Sequence, residues 1–378
     1  MLDLQEIRGK IDDTDAEILR LFEKRMKLAE DVAAYKIQAG KPVFDGKREA
    51  EKLKKLREAA STPFNALSVQ ELFQHIIAVS RIRQYQLLAQ QGAGVGEEEN
   101  YRQVDRLSTE NARVVFQGVE GAYSFAAMKR FFGENIRSSH VETWKEAMEQ
   151  TAAGAVDYAV LPIENSTAGS VLDIYDLLTE YPAYIVGEEI LEIRHTLMGV
   201  PGASLEDIRT VYSHPQGLYQ CRHFLEQHPD WKQKKMLNTA MAAEKVAAEA
   251  DKSQAAIASR YAAEHFGLQI LKEDGLAGEG NSTRFVILSS RKCFVRDAGK
   301  FSICVELPHK CGSLYGILAH FDYNNLNMTK IESRPIPSRP WEYRFFIDFE
   351  GNLSDPPVKN ALLGVRSEAV SLRLLGNY

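Results

Sequence analysis

Charged and polar side chains interrupt the apolar faces of two predicted helices near the N-terminus. Seven-residue spacing places Arg25 on the same helix face as Ile11 and Ile18. The third helix continues its apolar stripe with Ser80 and, one turn later, Gln84. Because a buried cation without an anionic partner is costly, a carboxylate of the protein or a bound anion must meet Arg25.

More charged groups occupy nearby positions of the same segments: Arg8, Lys36, Asp45, Arg48 and Glu49. An arginine in such a place can also set the register of a helical dimer or extend its charged end to solvent. For Arg25 alone we favour that interpretation. Together with Ser80 and Gln84, the whole set instead predicts a binding site for a small anion.

Four polar motifs accompany apolar, strand-like segments in the middle of the chain. They occupy residues 118–124, 161–170, 212–216 (with Gln220 following) and 281–285. Ligands of α/β sheets bind at strand ends, and a Gly-rich turn before a helix exposes backbone N–H groups that can hold an anion. Taken singly, the motifs also fit a plain turn, a helix cap or a structural histidine.

The C-terminal segment has the pattern strand (301–307), helix (312–324), strand (327–334), strand (343–349), helix, strand (370–376). That βαββαβ order predicts a ferredoxin-like module. Its first helix begins with Gly312, Ser313 and Leu314, and its second strand ends with Glu332, Ser333 and Arg334. A helix start with a glycine can accept an amino acid's carboxylate, although both motifs are also common loop chemistry.

The N-terminal set resembles, in order and spacing, the all-helical type of chorismate mutase over residues 1 to about 90. The resemblance implies catalytic roles for Lys36, Glu49 and Gln84, and substrate binding by Arg8, Arg25, Asp45, Arg48 and Ser80. It also implies a dimer of intertwined three-helix chains in which Arg8 reaches the partner's site. The reaction is an intramolecular rearrangement, so the enzyme needs only to fold a flexible dianion and stabilise separating charge.

The four middle motifs together resemble prephenate dehydratase over residues 113–293, with Val119 where a proline is common in that family. The resemblance implies two α/β lobes, like a periplasmic binding protein, with the site in the cleft between them. It assigns Thr283 to the departing hydroxyl. It places the following residues at the substrate: Glu164, Asn165, Ser213, His214, Gln220 and Arg284. Glu164 is a candidate acid if burial raises its pKa.

Residues 299–378 resemble the ACT domain, a small ligand-binding module that follows the dehydratase in this family. The resemblance implies that phenylalanine, as effector, binds between paired domains at the 312–314 and 332–334 motifs. For phenylalanine to inhibit, it must bind the less active conformation more tightly.

The elements that must position these residues divide into three modules. Gly and Pro breaks at 40–42 and 61–63 leave three helical segments in residues 1–90, and a polar stretch begins a linker at 91–112. We therefore predict a multidomain fold: an all-α three-helix domain, a two-lobed α/β domain and an α+β ferredoxin-like domain.

Composition sets outer limits on function. The 378 residues carry 46 basic and 52 acidic side chains, and this net charge of −6 argues against a nucleic-acid-coating protein. We find no apolar run of about 18 residues, no signal-peptide pattern and no metal-ligand spacing among the histidines. The four cysteines form no C-x-x-C pair, which is typical of free thiols in a reducing compartment. We therefore expect a cytoplasmic protein without a membrane partner, metal or cofactor.

These inferences converge on a fused enzyme that turns chorismate into prephenate and prephenate into phenylpyruvate, as a homodimer or higher homo-oligomer. Two alternatives stay open. The helical module could be degenerate and serve only for dimerisation, or the remaining region could be a non-catalytic amino-acid sensor. Retention of the charged positions argues against the first alternative, and the segment Thr283–Phe285 argues against the second.

Overall fold

The computed structural model describes residues 3–90, 100–273, 275–276, 278, 280–337 and 339–378. The predicted start of the linker, at 91–99, lies outside the described residues. The chain forms two compact units: Met1–Asn100 with Gly299–Leu374, and Tyr101–Ala298 with Leu375–Tyr378. The helical and C-terminal segments therefore share one unit, and the α/β region forms most of the other.

The described residues begin with three helices and continue with strands that alternate with helices. The helices are α1 (Leu4–Gln38), α2 (Gly46–Glu58), α3 (Pro63–Gln90), α4 (Tyr123–Phe132), α5 (Trp144–Ala152), α6 (Leu172–Glu180), α7 (Pro215–Gln220), α8 (Arg222–Leu225), α9 (Thr239–Glu249), α10 (Arg260–Phe266), α11 (Ser313–Asp322) and α12 (Pro356–Glu368). The strands are β1 (Arg102–Val104), β2 (Arg113–Gln117), β3 (Arg137–Val141), β4 (Tyr158–Asn165), β5 (Gly169–Ser170), β6 (Tyr184–Glu192), β7 (His195–Gly199), β8 (Thr210–Ser213), β9 (Lys232–Lys235), β10 (Gln254–Ser259), β11 (Gln269–Lys272), β12 (Ser282–Ser289), β13 (Cys293–Val295), β14 (Lys300–Glu306), β15 (Met328–Pro335), β16 (Tyr343–Glu350) and β17 (Ser371–Asn377).

Helix ends in the first unit follow local sequence signals. Asp3 and Asp45 cap α1 and α2, and each side chain accepts a hydrogen bond from a backbone N–H of the first turn. Pro63 opens α3, because its fixed φ suits the first helical position. The breaks predicted from Gly and Pro thus fall at the two connections between the helices.

The apolar face of α1 is largely uncovered within the chain. Ile11, Ile18 and Leu28 are 53%, 57% and 56% exposed. In the C-terminal part of α1, Ala29 and Ala33 are buried, and α1 packs on α3. An exposed apolar stripe of this length marks an interaction surface more often than a solvated one.

The second part of the first unit has the element order β14-α11-β15-β16-α12-β17. Strand β16 pairs antiparallel with β14 and β15, and the strand order is β15-β16-β14-β17. In its core, the Phe349 ring lies between those of Phe301 and Phe321, at centroid distances of 5.2 and 4.9 Å. The two helices α11 and α12 pack on each other, and both contact α3.

The second unit contains two sheets that form the two α/β lobes predicted from the sequence. One has the strand order β6-β12-β4-β2-β3, and the other β11-β7-β10-β8-β9. Each has its own hydrophobic core, the first including Phe116 and Val160 and the second including Val211 and Ile257. None of the helices within the described residues is long and apolar enough to cross a bilayer.

Candidate active sites

A cavity of about 430 Å³ lies among the three N-terminal helices. Seven of the eight residues that the sequence singles out in this region line it: Arg25, Lys36, Asp45, Arg48, Glu49, Ser80 and Gln84. Cations, carboxylates and neutral donors therefore meet in one small volume. Such a mixture suits a compact ligand that carries both anionic and hydroxyl groups.

The cations from α1 are held by neutral groups rather than by carboxylates. Arg25 donates to the Ser80 hydroxyl, and its Nη1 lies 3.3 Å from the Ile76 carbonyl oxygen. Lys36 donates to the Val43 carbonyl. Burial lowers the pKa of Arg25 and of Lys36, because desolvation penalises their charged forms. Both groups are therefore placed to gain from an anionic ligand.

Arg81 lines the same cavity and was missed by the sequence analysis. Its Nη1 donates to Glu49 Oε2. Burial raises the pKa of Glu49, and the Arg81 charge opposes that rise. A signal for Arg81 was available, because it follows the stripe residue Ile77 by four positions, just as Ser80 follows Ile76.

Arg8 is the predicted mutase residue that does not line the cavity. It lies in the exposed first part of α1. At 1.5 Å per residue, the 17 positions to Arg25 correspond to about 25 Å along the helix. Arg8 therefore cannot reach the cavity of its own chain while α1 is intact.

A second cavity, of about 540 Å³, lies in the α/β unit. Four of the residues predicted for the dehydratase line it: Asn165, His214, Gln220 and Thr283. They come from the ends of β4 and β12 and from α7 with its N-cap. The structure thus brings three of the four sequence motifs together, and the fourth contributes Tyr123 and Ser124 at the start of α4.

Thr283 accepts a hydrogen bond that orients its own proton. Asn165 Nδ2 lies 2.9 Å from Thr283 Oγ1 and donates to it, while Asn165 Oδ1 accepts from the Thr167 hydroxyl at 2.8 Å. The Asn165 amide is held at both its oxygen and its nitrogen, so the Thr283 oxygen accepts a hydrogen bond from it. The Thr283 O–H is then available to donate toward the cavity.

The hydrogen-bond chain continues to His195, a buried side chain that the sequence analysis missed, and to Tyr123 of the 118–124 motif. Gln220 Nε2 donates to Thr167 Oγ1 at 2.8 Å, and Gln220 Oε1 lies 2.8 Å from His195 Nε2. His195 Nδ1 lies 3.0 Å from the Tyr123 hydroxyl. A neutral imidazole with its proton on Nε2 donates to Gln220 Oε1, and its Nδ1 shares the one Tyr123 hydroxyl proton with the Arg194 carbonyl, which lies 2.8 Å from that hydroxyl. His195 begins an apolar strand, where a lone histidine gives little sequence signal.

Three helices of the α/β unit begin at the second cavity. Tyr123, Trp144 and Thr239 are the first residues of α4, α5 and α9, and all three line it. Their first-turn N–H groups and helix dipoles favour an anion. No Lys or Arg lies among the described lining residues, which include one acidic side chain, Glu142. The described lining residues thus offer helix starts rather than side-chain cations to an anion, and the start of α5 is already occupied by the Glu146 carboxylate of its capping box.

Glu164, Ser213 and Arg284 lie outside this lining, although the resemblance places them at the substrate. Arg284 follows Thr283 on β12, so its side chain points to the opposite face of the sheet. There its Nε donates to Glu188 at 2.7 Å, and Glu164 Oε2 lies 3.9 Å from its Nη1. The Ser213 hydroxyl is buried and donates to the Ile257 carbonyl at 2.7 Å.

We expect His195 to titrate below the ordinary histidine value of about 6.5. Burial lowers its pKa because the cation is desolvated, and the hydrogen bond to Gln220 opposes that shift. The Gln220→Leu variant removes the opposing bond, so its His195 pKa should be lower still. Histidine-selective NMR titration measures both values, and a midpoint for His195 above 6.5 in the parent would contradict the buried neutral imidazole.

The two predicted effector motifs lie in consecutive elements of the C-terminal module, at the start of α11 and in the last half of β15. Gly312 is the N-cap of α11, with φ of +80°, and Ser313 and Leu314 form the first turn of that helix. The segment Glu332, Ser333 and Arg334 lies in the last half of β15, at the edge of the four-strand order. The positive φ explains the glycine, because other residues reach that conformation only with strain.

Comparisons with known proteins match both regions. The sequence profile for chorismate mutase type II matches residues 7–85, and that for prephenate dehydratase matches residues 114–293. A bifunctional chorismate mutase/prephenate dehydratase of Enterobacter agglomerans is 34% identical over 382 aligned residues, covering 99% of this chain and 95% of that protein. The chain belongs to the bifunctional chorismate mutase/prephenate dehydratases. It thus joins an isomerase and a carbon–oxygen lyase.

Two solved structures are similar to most of the chain. Prephenate dehydratase from Arthrobacter aurescens, in complex with L-Phe, has 30% identity and a TM-score of 0.65, covering 70% of this chain and 89% of that one. A chain described as a quorum-quenching acylase, GqqA, has 31% identity and a TM-score of 0.64, covering 70% and 96%. Because related folds carry different activities, the site residues must support the assignment.

Proposed function

We propose that the helical cavity binds chorismate and rearranges it to prephenate. The observation that carries this proposal is the convergence of seven predicted residues on one small cavity. Arg25 and Arg48 would hold the carboxylates, and Lys36 and Gln84 would donate to the ether oxygen as negative charge develops there. Glu49 and Asp45 would accept the substrate hydroxyl or orient the cations, and Ser80 would add a polar contact.

We further propose that the mutase works as a dimer in which Arg8 acts in the partner's cavity. Two observations support this proposal. The apolar face of α1 is exposed within one chain, and Arg8 lies too far along α1 to reach its own cavity. Pairing two chains along α1 would cover the apolar face and complete each site with a third arginine.

For the second cavity we propose the conversion of prephenate to phenylpyruvate. The ring carboxylate leaves as CO₂, and hydroxide leaves from the opposite ring carbon. The departing hydroxide takes up a proton and becomes water. Thr283 would hydrogen-bond the departing hydroxyl, since Asn165 leaves the threonine proton free to donate. His214, Gln220 and Asn165 would line the substrate.

The helix N-termini at the second cavity suit the binding of a ring carboxylate that must be lost as CO₂. A buried cation beside the ring carboxylate would stabilise the ground state and oppose its loss as CO₂. Backbone N–H groups at α4 and α9 can hold a dianion without a full positive charge. Arg284 is bound to Glu188 on the other face of β12, so we assign it a structural part there.

Turnover separates this proposal from a non-catalytic sensor of amino acids. Supplied with prephenate, the protein should release CO₂ and phenylpyruvate in equal amounts. Because the rearrangement and the elimination rely on positioning and hydrogen bonds, neither proposed step consumes a redox cofactor. Binding of prephenate without any product would favour the sensor.

We propose the following division along the chain: a mutase domain (1–90), a linker (91–112), a dehydratase domain (113–293) and a C-terminal domain (299–378). We assign the C-terminal domain to the ferredoxin-like ACT type that binds phenylalanine. The strand order β15-β16-β14-β17 supports the ferredoxin-like arrangement. The L-Phe complex of the Arthrobacter aurescens dehydratase supports the effector. Its site would include Gly312, Ser313, Leu314, Glu332, Ser333 and Arg334.

Phenylalanine should lower the dehydratase rate of the parent, and Gly312→Ala should weaken that response by about tenfold in effector concentration. The added methyl group strains the left-handed cap at φ of +80° and alters the start of α11. Gly267→Ala is the matched control, because Gly267 also has a left-handed φ of +65° but ends α10 in the other unit. Phenylalanine-insensitive turnover of the parent would contradict the effector site.

A further inference from the structure

The mutase cavity is bordered by a residue from the far end of the chain. Arg81 lines the cavity from α3, and its Nη2 lies 3.0 Å from Oε1 of Glu368, the last residue of α12. Both side chains are nearly buried, with 12% and 14% of their surfaces exposed. The pair therefore forms where solvent screening is weak.

Glu368 is itself fixed by α11. Its Oε1 lies 2.9 Å from Nε2 of His320, which is buried. A Cβ placed on Gly316, one turn earlier on α11, would come within 3.2 Å of Glu368 Oε2. The missing side chain at Gly316 thus leaves room for the carboxylate, and His320 sets its position.

Arg81 consequently has both ends of its guanidinium occupied by carboxylates. Nη1 donates to Glu49 and Nη2 faces Glu368, while the guanidinium carbon lies 5.2 Å from the centre of the Phe44 ring. A planar guanidinium held at both nitrogens has little freedom to turn. The orientation of Glu49 in the cavity then depends on where Glu368 holds Arg81.

We propose that Glu368 is a positioning residue for the mutase reaction, which holds Arg81 against Glu49 although it belongs to the C-terminal module. This proposal rests on the proposed mutase site. It makes that site a composite of the N-terminal helices and α12. It also connects the site to α11, whose first turn carries one of the two effector motifs.

The test uses the full-length protein with Glu368→Gln. The amide keeps the shape of the side chain but removes the charge that attracts Arg81. We expect mutase kcat to fall on the order of tenfold, with KM within about twofold and dehydratase kcat unchanged. Glu350→Gln is the matched control, because Glu350 is an exposed glutamate at the end of β16. It should leave both activities at the parent level.

The pH profile separates positioning from a simple loss of packing. The charged and titratable groups that face Glu49 and Glu368 come from every element around them: Arg25, Lys36, Asp45, Arg48, Glu51, Lys52, Lys55, Arg81, Tyr85 and His320. Burial is the main cause that raises the pKa of Glu49, and the Glu368 charge raises it further. Removing that charge lowers the Glu49 pKa. The acid limb of mutase kcat should therefore move to lower pH in Glu368→Gln.

Glu368→Asp provides the second variant. It retains the charge but shortens the side chain by one methylene, so we expect a smaller loss of kcat than in Glu368→Gln and an unshifted acid limb. If Glu368→Gln has a parent-like mutase rate while Arg25→Ala loses most of its rate, the proposed role of Glu368 is wrong and the mutase site itself stands. Parent-like rates in both would overturn the mutase site itself. An equal loss at every pH in Glu368→Gln would reduce Glu368 to a packing residue and also overturn the proposal.

Discussion

Replacing Thr283 by alanine should lower dehydratase kcat by at least about a hundredfold, because the hydroxyl that assists the departing group is lost. Mutase kcat should stay within about twofold, since none of the described residues that line the mutase cavity belongs to the α/β unit. Thr283 is 9% exposed and faces the second cavity, so the substitution removes one polar contact and leaves β12 otherwise intact. Steady-state rates with each substrate measure both effects.

Two further variants test whether the hydroxyl itself is responsible. Thr283→Ser keeps an oxygen within reach of Asn165 and should retain most of the dehydratase rate. Thr210→Ala makes the same truncation on β8, outside the cavity lining, and should change neither rate. An equal loss of both activities in Thr283→Ala would contradict the separation of the two sites.

Replacing Arg25 by alanine should have the opposite effect. Mutase kcat/KM should fall by about 10²–10³, because a charged donor to the substrate is lost, while dehydratase turnover persists. The matched control is Arg20→Ala: Arg20 lies on the same helix, is 66% exposed and pairs with Glu17. A full mutase rate in Arg25→Ala would refute the role of the helical cavity.

The proposed shared site can be tested by mixing two single variants, Arg25→Ala and Arg8→Ala, so that dimers with one chain of each kind form. In a mixed dimer, one cavity contains both substitutions and the other contains neither. Mixing two inactive variants should therefore restore mutase activity, up to one intact site in each mixed dimer. If Arg8 acted in its own chain, every cavity would carry one substitution, and mixing would restore nothing.

Much of the helical site followed from the sequence because helical spacing is regular. Seven-residue spacing places Arg25 on the apolar stripe of α1, and four-residue spacing places Ser80 and Gln84 on that of α3. The same arithmetic applied to Ile77 would have found Arg81. Its second partner, Glu368, could not be found that way, because nothing in local spacing indicates that α12 packs against α3.

The dehydratase site shows a different limit. Thr283 and Arg284 were both expected at the substrate, yet neighbouring residues of a strand face opposite sides of the sheet. Strand alternation would have removed Arg284 from the cavity once the strand was known to include residue 282. The convergence of α4, α5 and α9 depends on how the lobes fold, so the helix starts at this cavity could not be derived from the motifs.

The most direct test of the account supplies chorismate to the parent, Thr283→Ala and Arg25→Ala, and follows chorismate, prephenate and phenylpyruvate over time. The parent should end at phenylpyruvate. Thr283→Ala should consume chorismate at the parent rate and accumulate prephenate in equal amount. Arg25→Ala should leave chorismate unconsumed and still convert added prephenate. Slowing of both steps together in either variant would contradict two separate sites that catalyse consecutive reactions on one chain.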